Sequence, residues 1–258
     1  MKIKANRFMW ATSVFLIFFL VSCAANLELR KRQEEALRNF GEAYIREGDY
    51  TKALRKLLEA EKLYAEDPHL QYDLGLVYMA KENPGMAIDH FKKAVEIKPD
   101  YTPAKNSLGA AYLAEKKWDD AISCFKEISG DLLYVTPHYP LSNLGWAYYN
   151  KKKYDLAEKY YQDALKIEPR FAIALSGLGK TYIAAGKIPE SVVIFEKAVK
   201  ISPSSAELYL DLADTYRLSR EYKKALNAYK KVIELAPDSP LAVDAQKEIE
   251  GLRNWGIK

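Results

Sequence analysis

One period runs through this chain and limits what it can become. Gly41, Gly75, Gly109, Gly145, Gly179 and Ala213 recur at steps of 34, 34, 36, 34 and 34 residues. A fixed step of that length is the mark of an array of helix pairs, each too small to bury its apolar face alone and therefore stacked on its neighbours. The expected fold is all-α: a solenoid of six stacked helix pairs closed by a C-terminal capping helix.

Each recurring position has a mechanical reason. With repeats starting seven residues before each small residue, the seventh position is Phe40, Leu74, Leu108, Leu144, Leu178 and Leu212, and the eleventh is tyrosine throughout, from Tyr44 to Tyr216. The twentieth is Ala53, Ala87, Ala121, Ala157, Ser191 and Ala225; the twenty-fourth is Leu57, Phe91, Phe125, Tyr161, Phe195 and Tyr229. Positions 4, 7, 8 and 11 share one helical stripe, and 20, 24 and 27 another. Small residues at 8, 20 and 27 let two antiparallel helices approach closely, while the rings at 11 and 24 fill the volume left. Proline at position 32 (Pro99, Pro169, Pro203, Pro237) ends the second helix, and bulky residues at position 17 (Tyr50, Trp118, Tyr154, Tyr222) pack back on the first.

These repeats resemble the tetratricopeptide family, and the resemblance implies that the solenoid is a right-handed superhelix. They depart from it in lacking the fourth-position Trp and in carrying lysine-rich turns in repeats 3 and 4 in place of the usual glycine. The layout expected is a cleaved lipoprotein signal over 1–22, an acylated cysteine and tether over 23–33, six repeats (34–67, 68–101, 102–137, 138–171, 172–205, 206–239), and a capping helix and tail over 240–258.

The N-terminus reads as a signal. Lys2, Lys4 and Arg7 precede an apolar run from Phe8 to Val21, short for a bilayer span, which ends in Leu20-Val21-Ser22-Cys23. This resembles the bacterial lipobox. The resemblance implies acylation of Cys23 and no other cofactor. With no aspartate after Cys23, it also implies an outer-membrane protein facing the periplasm. The other cysteine, Cys124, reads as a buried structural thiol, since a single remaining thiol makes no internal disulfide. The net charge of +4 comes largely from the signal, which argues against nucleic acid as a partner. Lys151, Lys152 and Lys153 read as a solvated turn.

No catalytic or metal-binding constellation is visible. His69, His90 and His138 stand apart, the glycines are packing positions, and acid pairs such as Asp119-Asp120 open helices where their charge suits the dipole. The expectation is a binding protein without enzymatic activity, metal or small-molecule substrate. In this repeat, positions 2, 5, 9, 12 and 13 of the first helix line the concave face. There the ends are charged (Glu35, Arg38, Glu42, Arg46; Glu207, Asp214, Arg217). The middle offers Tyr72, Leu76, Met79, Asn106, Leu113, Tyr139, Trp146, Tyr149, Ile173 and Ile183. Exposed aromatic and apolar patches mark interaction sites, so these are candidate partner-binding residues, with packing between repeats as the alternative. Positions 5 and 9 do not resemble the Lys/Asn clamp that grips a terminal carboxylate. An extended or helical segment with apolar anchors fits better.

The junction between repeats 3 and 4 adds two residues and reads Leu133-Tyr134-Val135-Thr136-Pro137, followed by Leu141, Asn143 and Gly145. With the lipobox and six repeats, this resembles the type IV pilus biogenesis lipoproteins, the PilF/PilW/Tgl family of secretin pilotins, though Ala147 stands where many members have a cysteine. The resemblance implies a scaffold that helps pilus secretin subunits assemble at the outer membrane. The alternative is another periplasmic repeat lipoprotein, serving outer-membrane protein insertion, polysaccharide export or cell-wall enzymes.

Overall fold

The structure, a computed structural model, describes residues 26–129 and 136–254. The signal, Cys23 and residues 133–135 of the repeat 3–4 junction lie outside the described residues. Thirteen helices and no strand are found among those described. The first helices of the repeats are α1 (26–46), α3 (Pro68–Ala80), α5 (Thr102–Ala114), α7 (His138–Asn150), α9 (Ala172–Ala184) and α11 (Ala206–Leu218). The second helices are α2 (Tyr50–Leu63), α4 (Pro84–Ile97), α6 (Trp118–Ser129), α8 (Tyr154–Ile167), α10 (Ile188–Ile201) and α12 (Tyr222–Leu235). From α3 onward each first helix spans positions 1–13. Second helices start at position 17 and, where proline stands at 32 (α4, α8, α10, α12), stop two residues before it. The last helix, α13 (Pro240–Asn254), packs on α11 and α12 through Ala242, Ala245, Ile249 and Leu252, which fall on one stripe and are all buried.

The spacing rules appear directly in the packing. All six residues at position 20 are fully buried, and position 24 is buried in every repeat, as Leu57 in the first and as a ring in the other five. A side chain at Gly75 would overlap the ring of Phe91, and one at Gly179 the ring of Phe195, so the bare backbone at position 8 is what admits the large residue at 24.

Every turn between paired helices is left-handed at position 15: Gly48 and Gly186, but also Glu82, Lys116, Lys152 and Arg220, with φ of 56° to 63° at the four non-glycine residues. In each turn the next N–H donates to the carbonyl of the position-11 tyrosine, as in Lys117 to Tyr112 at 2.8 Å and Lys153 to Tyr148 at 2.9 Å. The lysine-rich turns thus keep the glycine geometry under strain.

Three expectations are corrected. Residues 26–33 are not an extended tether but the start of α1, because this stretch is made of strong helix formers and carries an Arg32–Glu28 pair at 3.4 Å. Phe40, placed in the core by its position, is 60% exposed. Later first helices lie against the preceding second helix (α3 on α2, α7 on α6, α9 on α8, α11 on α10), whereas no described helix precedes α1. Cys124 is half-buried, because it flanks the stripe of Ala121, Ile122, Phe125 and Ile128 that α6 buries.

The chain forms two compact units, Met1–Ala111 and Tyr112–Lys258. The core of the first is built on Leu57, Leu70, Leu74 and Val77, with Leu37 and Tyr44 packed against it. A core in the second gathers Phe195, Leu208, Leu212, Tyr216, Tyr229 and the buried face of α13.

Candidate functional site

In the second unit the first-helix face opens into a cavity of about 480 Å³. Trp146 from α7 and Ala172, Ile173, Ser176, Gly177 and Lys180 from α9 line it, with Leu208 from α11 at its far side. Its apolar surface comes from residues that alternate with hydroxyls, so an apolar anchor placed there has hydrogen-bonding groups beside it.

Trp146 is 42% exposed and stacks on Tyr149, their ring centroids 5.6 Å apart and 11° from parallel. Tyr149 in turn meets Tyr154 at 5.9 Å. Preformed stacking removes rotamer freedom before any partner arrives, which lowers the entropic cost of binding. Ile173, 62% exposed, lines the same cavity. Tyr139 forms a separate aromatic group with His138 and Phe171, with centroids between 4.6 and 4.9 Å. Leu113 is half-buried, and Ile183 packs against the core of the last repeats rather than standing clear of it.

The cavity also holds residues that were not among the predicted binding residues, including Ser176 and Lys180 at face positions 5 and 9 of their repeat, Gly177 at position 6, and Tyr161, which the pattern assigned to the core. Tyr161 belongs to a second helix, yet it reaches the cavity because α9 has a glycine over it; a side chain at Gly177 would overlap the Tyr161 ring. That extra glycine at position 6 was the available signal. Burial pushes the Tyr161 hydroxyl well above the ordinary phenol range. At the same position in the last repeat, the Tyr229 hydroxyl donates to Asp214 at 2.6 Å, and the position equivalent to Asp214 is Trp146 in the fourth repeat. Lys180 pairs with Asp211 at 3.1 Å, and Ser176 donates to the same carboxylate at 3.3 Å, so the charge of Lys180 is balanced.

In the first unit the same face is different in kind. Tyr72, half-buried, lies between Phe91 at 5.8 Å and Tyr101 at 5.3 Å; Leu76 and Met79 are half-buried along the same helix. Asn106 keeps its side-chain oxygen buried without a hydrogen bond. Around Arg38 stand four carboxyl groups. Glu42 accepts a hydrogen bond from it, Asp67 lies 3.4 Å away, Glu34 3.8 Å and Asp73 4.0 Å. Burial first, and then neighbouring carboxylates, push both Glu34 and Asp73 up to about 7. Among the described residues no group of His, Cys, Asp and Glu is arranged to hold a metal ion, and no helix is long and apolar enough to cross a membrane.

Three sequence models of the tetratricopeptide repeat match residues 38–102, 139–171 and 170–238, together well over half of the chain and in the register of the helix pairs. The chain belongs to the tetratricopeptide repeat family. Among its relatives is the type IV pilus assembly protein PilF of Pseudomonas aeruginosa, 26% identical over 153 residues, which are 57% of this chain and 60% of that one. The chain therefore aligns with less than two thirds of that relative's length. The structure of Pseudomonas aeruginosa PilF superposes with a TM-score of 0.70 at 18% identity, over 85% of this chain and 99% of the other. The type IV pilus biogenesis factor PilW superposes with a TM-score of 0.74 at 20% identity, over 81% and 96%. YrrB, described as a tetratricopeptide protein with an unusual peptide-binding site, superposes with a TM-score of 0.54 at 20% identity, over 74% and 97%. As a tetratricopeptide protein related to pilus biogenesis factors, the chain is a scaffold of a kind that binds other proteins.

Proposed function

We propose that this protein is an outer-membrane-anchored, periplasmic, non-enzymatic scaffold of the pilotin type, which holds a secretin subunit while the type IV pilus secretin assembles. The observation that carries this reading is the likeness to PilF, which extends from sequence to nearly the whole of the PilF structure. The lipobox at Cys23 and the six-repeat layout with its extended junction agree with it. Acyl chains on Cys23 would anchor the chain at one leaflet, since each buried methylene adds about 0.8 kcal/mol. The cavity over Trp146 and Ile173 would take an apolar side chain of the client's segment, with flanking hydroxyls for its backbone. Anchoring the scaffold and its client at one surface raises their effective concentration without any new contact. Neither unit supplies a catalytic group in this account, and no cofactor beyond the lipid is needed.

Deletion of the gene tests the proposal. The expected outcome is loss of surface pili together with loss of heat-stable secretin multimers. Normal pili accompanied by a general envelope defect would transfer the protein to another periplasmic assembly system.

A further inference from the structure

We propose that the cavity over Trp146 selects a tyrosine side chain of the protein partner, whose phenol oxygen pairs with the hydroxyl of Tyr161. The inference rests on that cavity being the client's anchor site, but not on the client being a secretin subunit.

Two departures from the repeat pattern meet on one hydroxyl. At position 24 the array carries Phe91, Phe125 and Phe195, and only Tyr161 and Tyr229 bring a hydroxyl there. In the last repeat that hydroxyl is engaged: Tyr229 donates to Asp214 at 2.6 Å and accepts from Arg217 Nε at 3.3 Å. In the fourth repeat the same two positions, 9 and 12, carry Trp146 and Tyr149. The hydroxyl is kept and both of its partners are replaced by rings. No hydrogen bond joins Tyr161 to another of the described residues.

The second departure is Gly177. Position 6 is Asn39, Asp73, Ser107, Asn143 and Asp211 in the other repeats. A Cβ at Gly177 would overlap both the ring and the oxygen of Tyr161, so a side chain there would cover the hydroxyl. With glycine, the hydroxyl stands beside open space, in the cavity that both residues line. Tyr161 is 2% exposed, so packing fixes its ring and holds the donor in place before any guest arrives.

The surroundings choose the guest. Burial keeps Tyr161 protonated, and the only other group that shifts it is Tyr149, so no charged side chain acts on the hydroxyl. Lys180 is already engaged by Asp211, which leaves a carboxylate guest without a cation of its own. The guest's tip is therefore a neutral acceptor. Ser176 donates to Asp211, and Ser205 to Glu207, so these hydroxyls are engaged too. A carboxamide brings two N–H donors that need partners, whereas a phenol brings a single O–H. A phenol also carries its oxygen at the end of a flat ring, the shape that the exposed faces of Trp146 and Ile173 can cover. Phenylalanine would fill the same space but displace water from the Tyr161 hydroxyl without replacing its hydrogen bond.

The test uses the full chain and three probes, acetyl-Ser-Gly-Tyr-Gly-Ser-amide and the same peptide with phenylalanine or glutamine in place of tyrosine. Binding is followed by NMR at the Trp146 indole and the Gly177 amide. The tyrosine peptide is expected to shift both resonances and to bind about three- to tenfold more tightly than the phenylalanine peptide, the weight of one neutral hydrogen bond. The glutamine peptide is expected to bind more weakly than the tyrosine peptide. Tyr161→Phe places at position 24 the residue that repeats 2, 3 and 5 already have, so it is expected to fold with its thermal midpoint within about 2 °C of wild type. That variant is expected to bind the tyrosine and phenylalanine peptides equally. A tyrosine preference that survives in Tyr161→Phe, or a glutamine peptide that binds the more tightly, would overturn the proposal. Equal affinity of the wild type for the tyrosine and phenylalanine peptides, with Trp146 shifted by both, would overturn it and leave the cavity as an apolar anchor site. No shift from any probe at about 20 mM would overturn both.

Discussion

Residue-scale chemistry divides the first-helix face into two kinds of surface. In the second unit Trp146 and Tyr149 are stacked on each other and partly solvent-exposed, so their removal takes little from the core. We expect Trp146→Ala with Tyr149→Ala to weaken capture of a secretin subunit by about 30-fold or more, the scale of an aromatic hot spot, while shifting the thermal midpoint by no more than about 2 °C. A large fall in midpoint with capture intact would make the pair structural. In the first unit, Glu34 and Asp73 titrate at about 7 when folded, against ordinary values of 4.5 and 3.8. Between those limits the folded chain holds protons that the unfolded chain has lost. Their contribution to stability is therefore full at low pH and is lost as pH rises through about 7. His90, held down by burial, contributes the opposite slope, so the comparison must be with a variant. Glu34→Gln with Asp73→Asn is expected to gain about 1–3 kcal/mol relative to wild type between pH 5 and pH 8 in urea unfolding. A difference that is flat with pH would show that these groups do not titrate near neutrality.

At the scale of the element, the helices follow their capping and packing residues, and the turns are where sequence and geometry conflict. Position 15 is left-handed whether or not it is glycine, and in each turn the next N–H then reaches the carbonyl of the position-11 tyrosine and closes the first helix. Lys116 and Lys152 adopt that conformation at a steric cost that glycine avoids. Lys116→Gly and Lys152→Gly are each expected to raise the thermal midpoint by about 1–3 °C, the gain reduced by glycine's greater freedom when unfolded. A lower midpoint would mean that the lysine side chains hold these turns by contacts that outweigh the strain. Elements were also the most legible level of the sequence. Pro68 and Pro84 open helices, Pro99 and Pro169 follow helix ends, and α13 covers the last repeat through the small and branched residues that its spacing marks. The exception was α1. Its N-terminal extension and its exposed Phe40 were not legible, because a repeat pattern assigns every copy the same surroundings while the first copy has no described neighbour before it.

The whole molecule is two packed units of stacked helix pairs, and the proposed anchor lies in the segment before α1. Cys23→Ser is expected to abolish acylation and release the protein from the membrane fraction. Labelled palmitate still attached to that variant would refute the lipobox. Residues 26–33 are already helical, so this stretch adds about 1.5 Å of reach per residue where extended chain would add about 3.3–3.6 Å.

The amino-acid sequence alone determined the helix pairs and their register. Those depend on local rules: which residues share a stripe, where proline ends a helix, and where a missing side chain lets another helix approach. It also pointed to the face on which Trp146 and Tyr149 stand, because periodicity assigns residues to faces. Only the tertiary structure decided what that face contains. Gly177 admits Tyr161 from the helix behind, and Asp67 and Asp73, on or beside α3, come within reach of Arg38 on α1. Contacts between residues about 16 to 35 positions apart depend on how pairs stack, and no period within a single helix encodes them.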